Sequence, residues 1–100
     1  MGSRIQLHYE LSKFHTKVYF QPPADIKMDY PCIVYHKTDK RNEYGNDKIY
    51  LSRQQYSITV IEKDPDSPVA DNMERYFTHT AITDYYTADN LHHTILKLSY

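Results

Sequence analysis

The side chains able to bind metals or transfer protons are scattered through this sequence and form no motif. Six histidines raise the question of a metal site, above all the adjacent pair His92 and His93. Neighbouring residues on a strand point to opposite faces of a sheet, so these two cannot bind one ion without a bend in the backbone. The HxH, HExxH and CxxC spacings of metal and redox sites do not occur. We expect no metal site and no cofactor.

A single cysteine, Cys32, is the only thiol. Its nearest candidate base is His36, and on a strand about 13 Å separates residues four apart. The apolar flanks in "YPCIVY" predict a buried structural thiol rather than a nucleophile, which needs an activating base and an exposed site. A lone cysteine forms no internal disulfide, which is typical of proteins assembled in a reducing compartment.

The remaining catalytic possibilities are weak. Asp64 and Asp66 flank Pro65 just before a predicted helix, where capping is the ordinary role of a carboxylate. With only Gly2 and Gly45, the chain cannot build a glycine-rich phosphate loop. We expect no catalytic residue and no enzymatic activity, with an unrecognised enzyme as an alternative class.

Aromatic and basic residues interleave in the middle of the chain, as they do in proteins that bind single-stranded nucleic acid. Acidic residues among them nearly cancel the positive charge, and the net charge of the whole chain is −1. A solvated hairpin or a protein contact is favoured over nucleic acid. The residues concerned are Lys37, Lys40, Arg41 and Lys48, with Tyr35, Tyr44 and Tyr50, and the acids Asp39, Glu43 and Asp47.

Tyrosine is the outstanding feature of the composition, at 11 of 100 residues without any tryptophan. A small core cannot bury that many phenol hydroxyls and satisfy each one. Some tyrosines must therefore lie at the surface, either on solvated strand faces or at an interface, where tyrosine is enriched.

The patterns predict one α+β domain over residues 1–100: a small mixed or mostly antiparallel sheet, two helices packed on it and a long protruding β-hairpin. No apolar run approaches the ~20 residues that span a bilayer, and no apolar stretch typical of a secretory signal follows the first residues. The expected elements are a helix over 4–14, strands over 18–20 and 32–37, a polar turn over 38–47, a strand over 48–62, a helix capped by Ser67 with Pro68 at its first position and ending at His79, and strands over 82–86 and 94–100.

Periodicity also predicts which side chains are buried. Leu7, Leu11 and Phe14 share one face of the first helix, at i, i+4 and i+7. Alternation in the long third strand places three apolar side chains on the core face, opposite two from the second helix. These are Tyr56, Ile58 and Val60 on the strand, and Met73 and Phe77 on the helix.

Four segments then resemble, in order and spacing, the tail-completion or head–tail joining proteins of long-tailed bacteriophages. They are "KVYFQPP", "YPCIVYHKTD", "YGNDKIYLSRQQYSITVIEKDPDS" and "YYTADNLHHTILKLSY". The likeness runs from about Lys17 to Tyr100. It is weakest over residues 72–84, and the first helix matches only in character.

The resemblance implies a tail terminator: a structural virion protein that forms a ring, usually of six subunits, at the head-proximal end of the tail tube. Such a ring stops tube polymerisation and joins the tube to the head-closure proteins in the neck. It also implies a protein made and assembled in the cytoplasm of the host bacterium, with itself, the tail-tube protein and head-closure proteins as partners. DNA would pass through the lumen without specific binding.

Composition places the expected interface in the hairpin over residues 40–50, with Tyr44 and Tyr50 as anchors. The alternatives are a head-closure (stopper or adaptor) neck protein, or a small non-catalytic module that binds another protein. The interface residues on this hypothesis are Lys40, Arg41, Glu43, Tyr44, Asn46, Lys48 and Tyr50.

Overall fold

The computed structural model describes residues 4–15, 17–23, 27, 29–45 and 48–100, and for 39–45 and 48–53 it describes the backbone alone. Among these residues no helix is long and apolar enough to cross a membrane. The elements are α1 (Arg4–Leu11), β1 (Val18–Phe20), β2 (Cys32–Gly45), β3 (Lys48–Glu62), α2 (Val69–Tyr76), β4 (Thr80–Ala88) and β5 (Leu91–Ser99).

The sheet is mixed and has five strands in the order β1-β2-β3-β5-β4. The pairing of β1 with β2 is parallel, and the other three pairings are antiparallel. With two helices added, this confirms the predicted α+β class.

Helix α1 ends at Leu11, three residues before the predicted end. A tighter turn of the 3₁₀ type follows, in which the N–H of Phe14 bonds the carbonyl of Leu11 at 3.0 Å, an i to i+3 contact. The predicted face is correct, since Leu7 and Leu11 have no solvent exposure and Phe14 packs against the same core.

Strand β1 has the predicted bounds and stops where two prolines follow, since proline has no N–H to give to a ladder. Gln21 turns the chain with a positive φ of 44°, and its N–H bonds the carbonyl of Tyr35 at 2.9 Å. The peptide bond between Tyr30 and Pro31 at the entry to β2 is cis.

Strand β2 is longer than predicted. The polar stretch assigned to a turn from residue 38 is strand backbone paired with β3, in a register that runs from Cys32↔Ile61 to Gly45↔Lys48. The prediction was wrong because a ladder needs only backbone groups, and a polar strand shows no apolar alternation. Asn46 and Asp47, which the sequence predicted to lie in the turn, fall outside the described residues. The bounds of β3 agree with the predicted range.

Helix α2 begins one residue later and ends three residues earlier than predicted. The carbonyl of Pro68 accepts the N–H of Asn72 at 2.9 Å, so Pro68 is the N-cap rather than the first helical residue. The Ser67 hydroxyl accepts the N–H of Val69 at a longer 3.4 Å. Phe77 is extended, with φ −90° and ψ 137°, because the chain must turn there to enter β4.

Strands β4 and β5 form a hairpin with a two-residue loop. Asp89 and Asn90 have positive φ of 52° and 61°, the geometry of a type I′ turn, which suits the right-handed twist of paired strands. Asn and Asp tolerate this region better than other residues with a Cβ. Both strands extend further toward this turn than predicted, since β4 ends at Ala88 and β5 begins at Leu91.

Both helices pack on one face of the sheet, and the core lies between the helices and that face. The predicted strand face is confirmed: Tyr56, Ile58 and Val60 are at most 2% exposed and share a cluster with Met73 and Phe77. The rest of the buried cluster is Leu7, Leu11, Ile33, Tyr35, Ala70, Leu96 and Leu98.

Candidate interaction site

Cys32 lies at the start of β2 with no solvent exposure and forms no disulfide, which confirms the prediction of a buried thiol. Burial is the largest cause that raises the pKa of the Cys32 thiol to about 11, and the carboxylates of Glu62 and Asp29 contribute to the same rise. The thiol is therefore protonated at neutral pH, and the thiolate is the form that attacks substrates or binds metals.

The histidines on β5 make separate local contacts. His92 Nδ1 lies 3.3 Å from the hydroxyl of Thr87, whereas the ring of His93 stacks on Tyr86. Within the part of the chain that the structure describes, no group of three His, Cys, Asp or Glu side chains is placed to hold a metal ion.

The carboxylate pair before α2 has a local role. Asp64 Oδ1 accepts the N–H of Asp66 at 2.9 Å and closes a turn. Both side chains are exposed. The geometry is that of a turn before the helix rather than the predicted cap, because the N-cap residue is Pro68.

Two tyrosines fill the core, and one of them also fixes α1. The hydroxyl of Tyr35 lies 2.8 Å from His8 Nδ1 and accepts a bond from the Arg4 guanidinium at 3.4 Å. Arg4 also lies over the ring of Phe20, 4.5 Å from its centroid. Burial raises the pKa of Tyr35, and the hydrogen bond from Arg4 partly offsets the effect. The buried hydroxyl thus has partners, and α1 is held across β1 and β2.

A second polar cluster joins the two helices. The hydroxyl of Tyr76 donates to the carboxylate of Glu10, and Lys13 Nζ lies 3.3 Å from the same carboxylate oxygen. The hydrogen bond from Tyr76 lowers the pKa of Glu10, and Lys13 lowers it further despite some desolvation. The cluster holds α1 against α2 at the surface.

Four of the described tyrosines are largely exposed, which confirms that tyrosine reaches the surface of this protein. Tyr9 and Tyr76 lie on the helices, 67% and 50% exposed, and Tyr85 and Tyr86 lie on β4, 78% and 48% exposed. The second pair is the more unusual, because two large aromatic side chains follow each other on an outer strand of the sheet.

The β4 edge, which we define as residues 83–88, carries these two tyrosines. Adjacent side chains on a strand point to opposite faces, so Tyr85 and Tyr86 flank the edge on both sides. The ring of Tyr86 is steadied by stacking on His93, with centroids 4.5 Å apart and planes 8° from parallel. This edge combines exposed backbone with exposed aromatic area, the two components of a strand-pairing interface.

The interface residues predicted from composition lie in the last part of β2 and the first part of β3, or between the two strands. The backbone of Lys40, Arg41, Glu43, Tyr44, Lys48 and Tyr50 is in the paired strands, their side chains lie outside the described ones, and Asn46 lies outside the described residues altogether. The structure therefore leaves this hypothesis as a prediction.

Sequence reasoning did not select Tyr85 and Tyr86. The doublet before a "TADN" turn is visible in the sequence, but the position of its strand at the edge depends on the strand order, which no local pattern shows.

A scan against models of known protein families finds no match to this chain, and a search of curated proteins finds none either.

Proposed function

We propose that this chain is a structural virion protein of a long-tailed bacteriophage that works at the head–tail junction. Copies of it form a ring, taken as six subunits from the resemblance, that terminates the tail tube and joins it to the head-closure proteins. The protein acts by contact and catalyses no reaction. It is made in the host cytoplasm and resides in the neck of the virion.

The observation that carries this proposal is the position of the four resembling segments in the fold. "KVYFQPP" covers β1 and the loop after it, and "YPCIVYHKTD" covers the first half of β2. The third segment covers β3 and the joint to α2, and the fourth runs from β4 through the turn into β5. Together the segments touch every strand of the described sheet. The likeness therefore follows the elements that define the architecture rather than isolated loops.

The pairing pattern of the hairpin supports an assembly role. Strand β3 pairs with β5 only from Gln55 to Glu62, whereas its pairing with β2 continues to Gly45↔Lys48. The remaining stretch of β3 thus belongs to a two-stranded ribbon, and such a ribbon is marginally stable in water unless it gains further contacts. In a ring each subunit contacts the next through two different surfaces, one on each subunit. The ribbon is suited to be one of these two surfaces.

The charge of the chain fits a ring through which DNA must pass. Each phosphate neutralised by Lys or Arg releases counterions and adds affinity, which would retard sliding DNA. A net charge of −1 with acids and bases interspersed favours passage without specific binding.

Sedimentation of tail-tube protein in the presence and absence of this chain tests the proposal. Tail-tube protein that polymerises alone should give long, heterogeneous tubes, and adding the chain should give a shorter, narrower distribution with the chain bound in a small fixed amount per tube. Binding along the whole tube, or no binding, would reject termination. Binding to head-closure protein without any effect on tubes would favour the neck-protein alternative.

A further inference from the structure

The β4 edge is an outer strand with backbone groups that face away from the sheet. In an antiparallel ladder, alternate residues direct their N–H and C=O groups toward and away from the neighbouring strand. The N–H of Ile82 bonds Glu74 Oε2 at 2.9 Å and the N–H of Tyr85 bonds Asp84 Oδ1 at 2.8 Å, so both point away from β5. The register shift between Ile82 and Asp84 lets residues an odd number apart face the same way. By the same alternation the N–H and C=O of Thr87 also face outward.

The two edges of the sheet differ in what they can accept. The other outer strand, β1, has only three residues, and Pro22 and Pro23 follow it, so it offers no long row of donors. On β4 the carboxylate of Glu74 covers Ile82, but the cover does not extend to residues 83–88, where the bond from Tyr85 to Asp84 is local and exposed. A strand carbonyl can replace that local acceptor.

The hairpin contains the complementary element. Residues 48–53 of β3 pair with β2 on one side. The last pairing contact on the other side of β3 is the N–H of Tyr100 on the carbonyl of Gln54, at 3.0 Å, so within the described residues this arm has one side without a strand. The arm and the β4 edge are each six residues long, about 20 Å at 3.3 Å per residue.

Formal charges match as well as lengths. The arm carries Lys48 and Arg53 and no acid, whereas β4 and its turn carry Asp84 and Asp89 and no base. Each pair of like charges is five residues apart in the sequence. Two β4 edges brought together would instead place acid against acid, which disfavours a symmetric pairing of this strand with itself.

We propose that the β4 edge of one copy binds residues 48–53 of a second copy as an added β-strand, with Tyr85 and Tyr86 packing on its two faces. The inference rests on the proposed function in taking the contact as the repeated one of a ring, because it joins two different surfaces and so continues from copy to copy.

The substitution Thr87→Pro tests whether the β4 edge is the surface that receives the added strand. Proline at an outward-facing position removes no backbone bond to β5, but it removes a donor from the edge and places a ring where the added strand would lie. The contact of the Thr87 hydroxyl with His92 is lost in this variant and in its control alike. Thr87→Ala is the matched control, because it keeps the N–H. In sedimentation velocity of the full chain over a concentration series, we expect wild type and Thr87→Ala to self-associate alike and Thr87→Pro to associate at least about tenfold more weakly.

Circular dichroism and melting of the same variants show whether the fold is kept. Equal association of Thr87→Pro and wild type, or a wild type that stays monomeric at every concentration, would overturn the inference. Should Thr87→Pro fail to fold, the charge variants below decide the question on folded protein.

Exchanging charges tests whether residues 48–53 are the strand that binds the β4 edge. Lys48→Glu with Arg53→Glu in one chain, and Asp84→Lys in another, should each associate less than wild type, and an equimolar mixture should associate more strongly than either chain alone. A mixture no better than its components would reject pairing between the arm and β4. Association that is sensitive to Thr87→Pro but indifferent to the arm charges would mean that two β4 edges pair.

Tube assays separate this inference from the proposed function. Self-association through β4 without tube termination would leave the inference standing and reject the function. Normal tube termination by Thr87→Pro would leave the proposed function standing and reject the inference.

Discussion

Replacing Val60 by alanine tests the core arrangement on which the fold depends. Val60 is 1% exposed, pairs with Ile33 on one side and Thr94 on the other, and belongs to the cluster beneath α2. The change removes two methyl groups, at about 0.8 kcal/mol each for transfer from water. The space left behind adds to this, for a total of about 2 to 3 kcal/mol. Stability of a domain this size is about 5 to 15 kcal/mol, so the loss should be plain.

The assay is chemical denaturation followed by circular dichroism, with the midpoint and slope fitted for wild type and variant. A matched control is Thr59→Ala, the neighbouring residue, which faces the other side of the sheet and is half-buried. That change should cost about 1 kcal/mol or less. An unchanged midpoint for Val60→Ala, or a larger loss for Thr59→Ala, would mean that the faces of β3 are reversed.

Three further predictions follow from the cluster geometry and the hairpin. Because burial raises the pKa of Cys32 from 9.0 to about 11, the folded chain holds this proton to a higher pH than the unfolded chain does. The free energy of unfolding should therefore fall by on the order of 2 to 3 kcal/mol as the pH rises from 9.0 to about 11. Denaturation under reducing conditions should show a smaller alkaline loss of stability for Cys32→Ala than for wild type. Tyr76→Phe removes the main cause of the lowered pKa of Glu10; NMR titration should find that pKa higher in the variant, and an unchanged value would rule out the hydrogen bond. Tyr44→Ser with Tyr50→Ser should leave circular dichroism and melting nearly unchanged while abolishing tube termination, since exposed interface tyrosines contribute to binding rather than to the core; a collapsed melting temperature would place them in the core.

Alternating and helical periods were the reliable guides to this fold. The apolar alternation of Tyr56, Ile58 and Val60 gave the correct buried face because one side of β3 packs against helices while the other does not. The i, i+4 spacing of Leu7 and Leu11 located the buried face of α1, because that face of the helix packs against the core.

Element ends and strand order were harder, for physical reasons. The polar end of β2 carries no apolar signal, yet its backbone pairs with β3 as far as Gly45. The early end of α2 at Tyr76 follows from the need to enter β4 rather than from any breaking residue. The exposure of Tyr85 depends on β4 pairing with β5 alone, a non-local fact that a local pattern cannot contain.

The candidate site shows the same division. The sequence indicated that tyrosine must reach the surface, and Tyr9, Tyr76, Tyr85 and Tyr86 do so. It could not indicate which tyrosines share an edge, since that is set by tertiary pairing. The hairpin residues chosen from composition remain to be tested by mutation.

Electron microscopy of tail tubes assembled with this chain tests the central claim most directly. Tail-tube protein of the same phage is polymerised with and without the chain, and the ends of individual tubes are imaged and averaged. The account predicts a ring of this protein at one end of each tube, and tubes that stop growing once it is present. Bare tube ends, or the chain distributed along the tube wall, would contradict it.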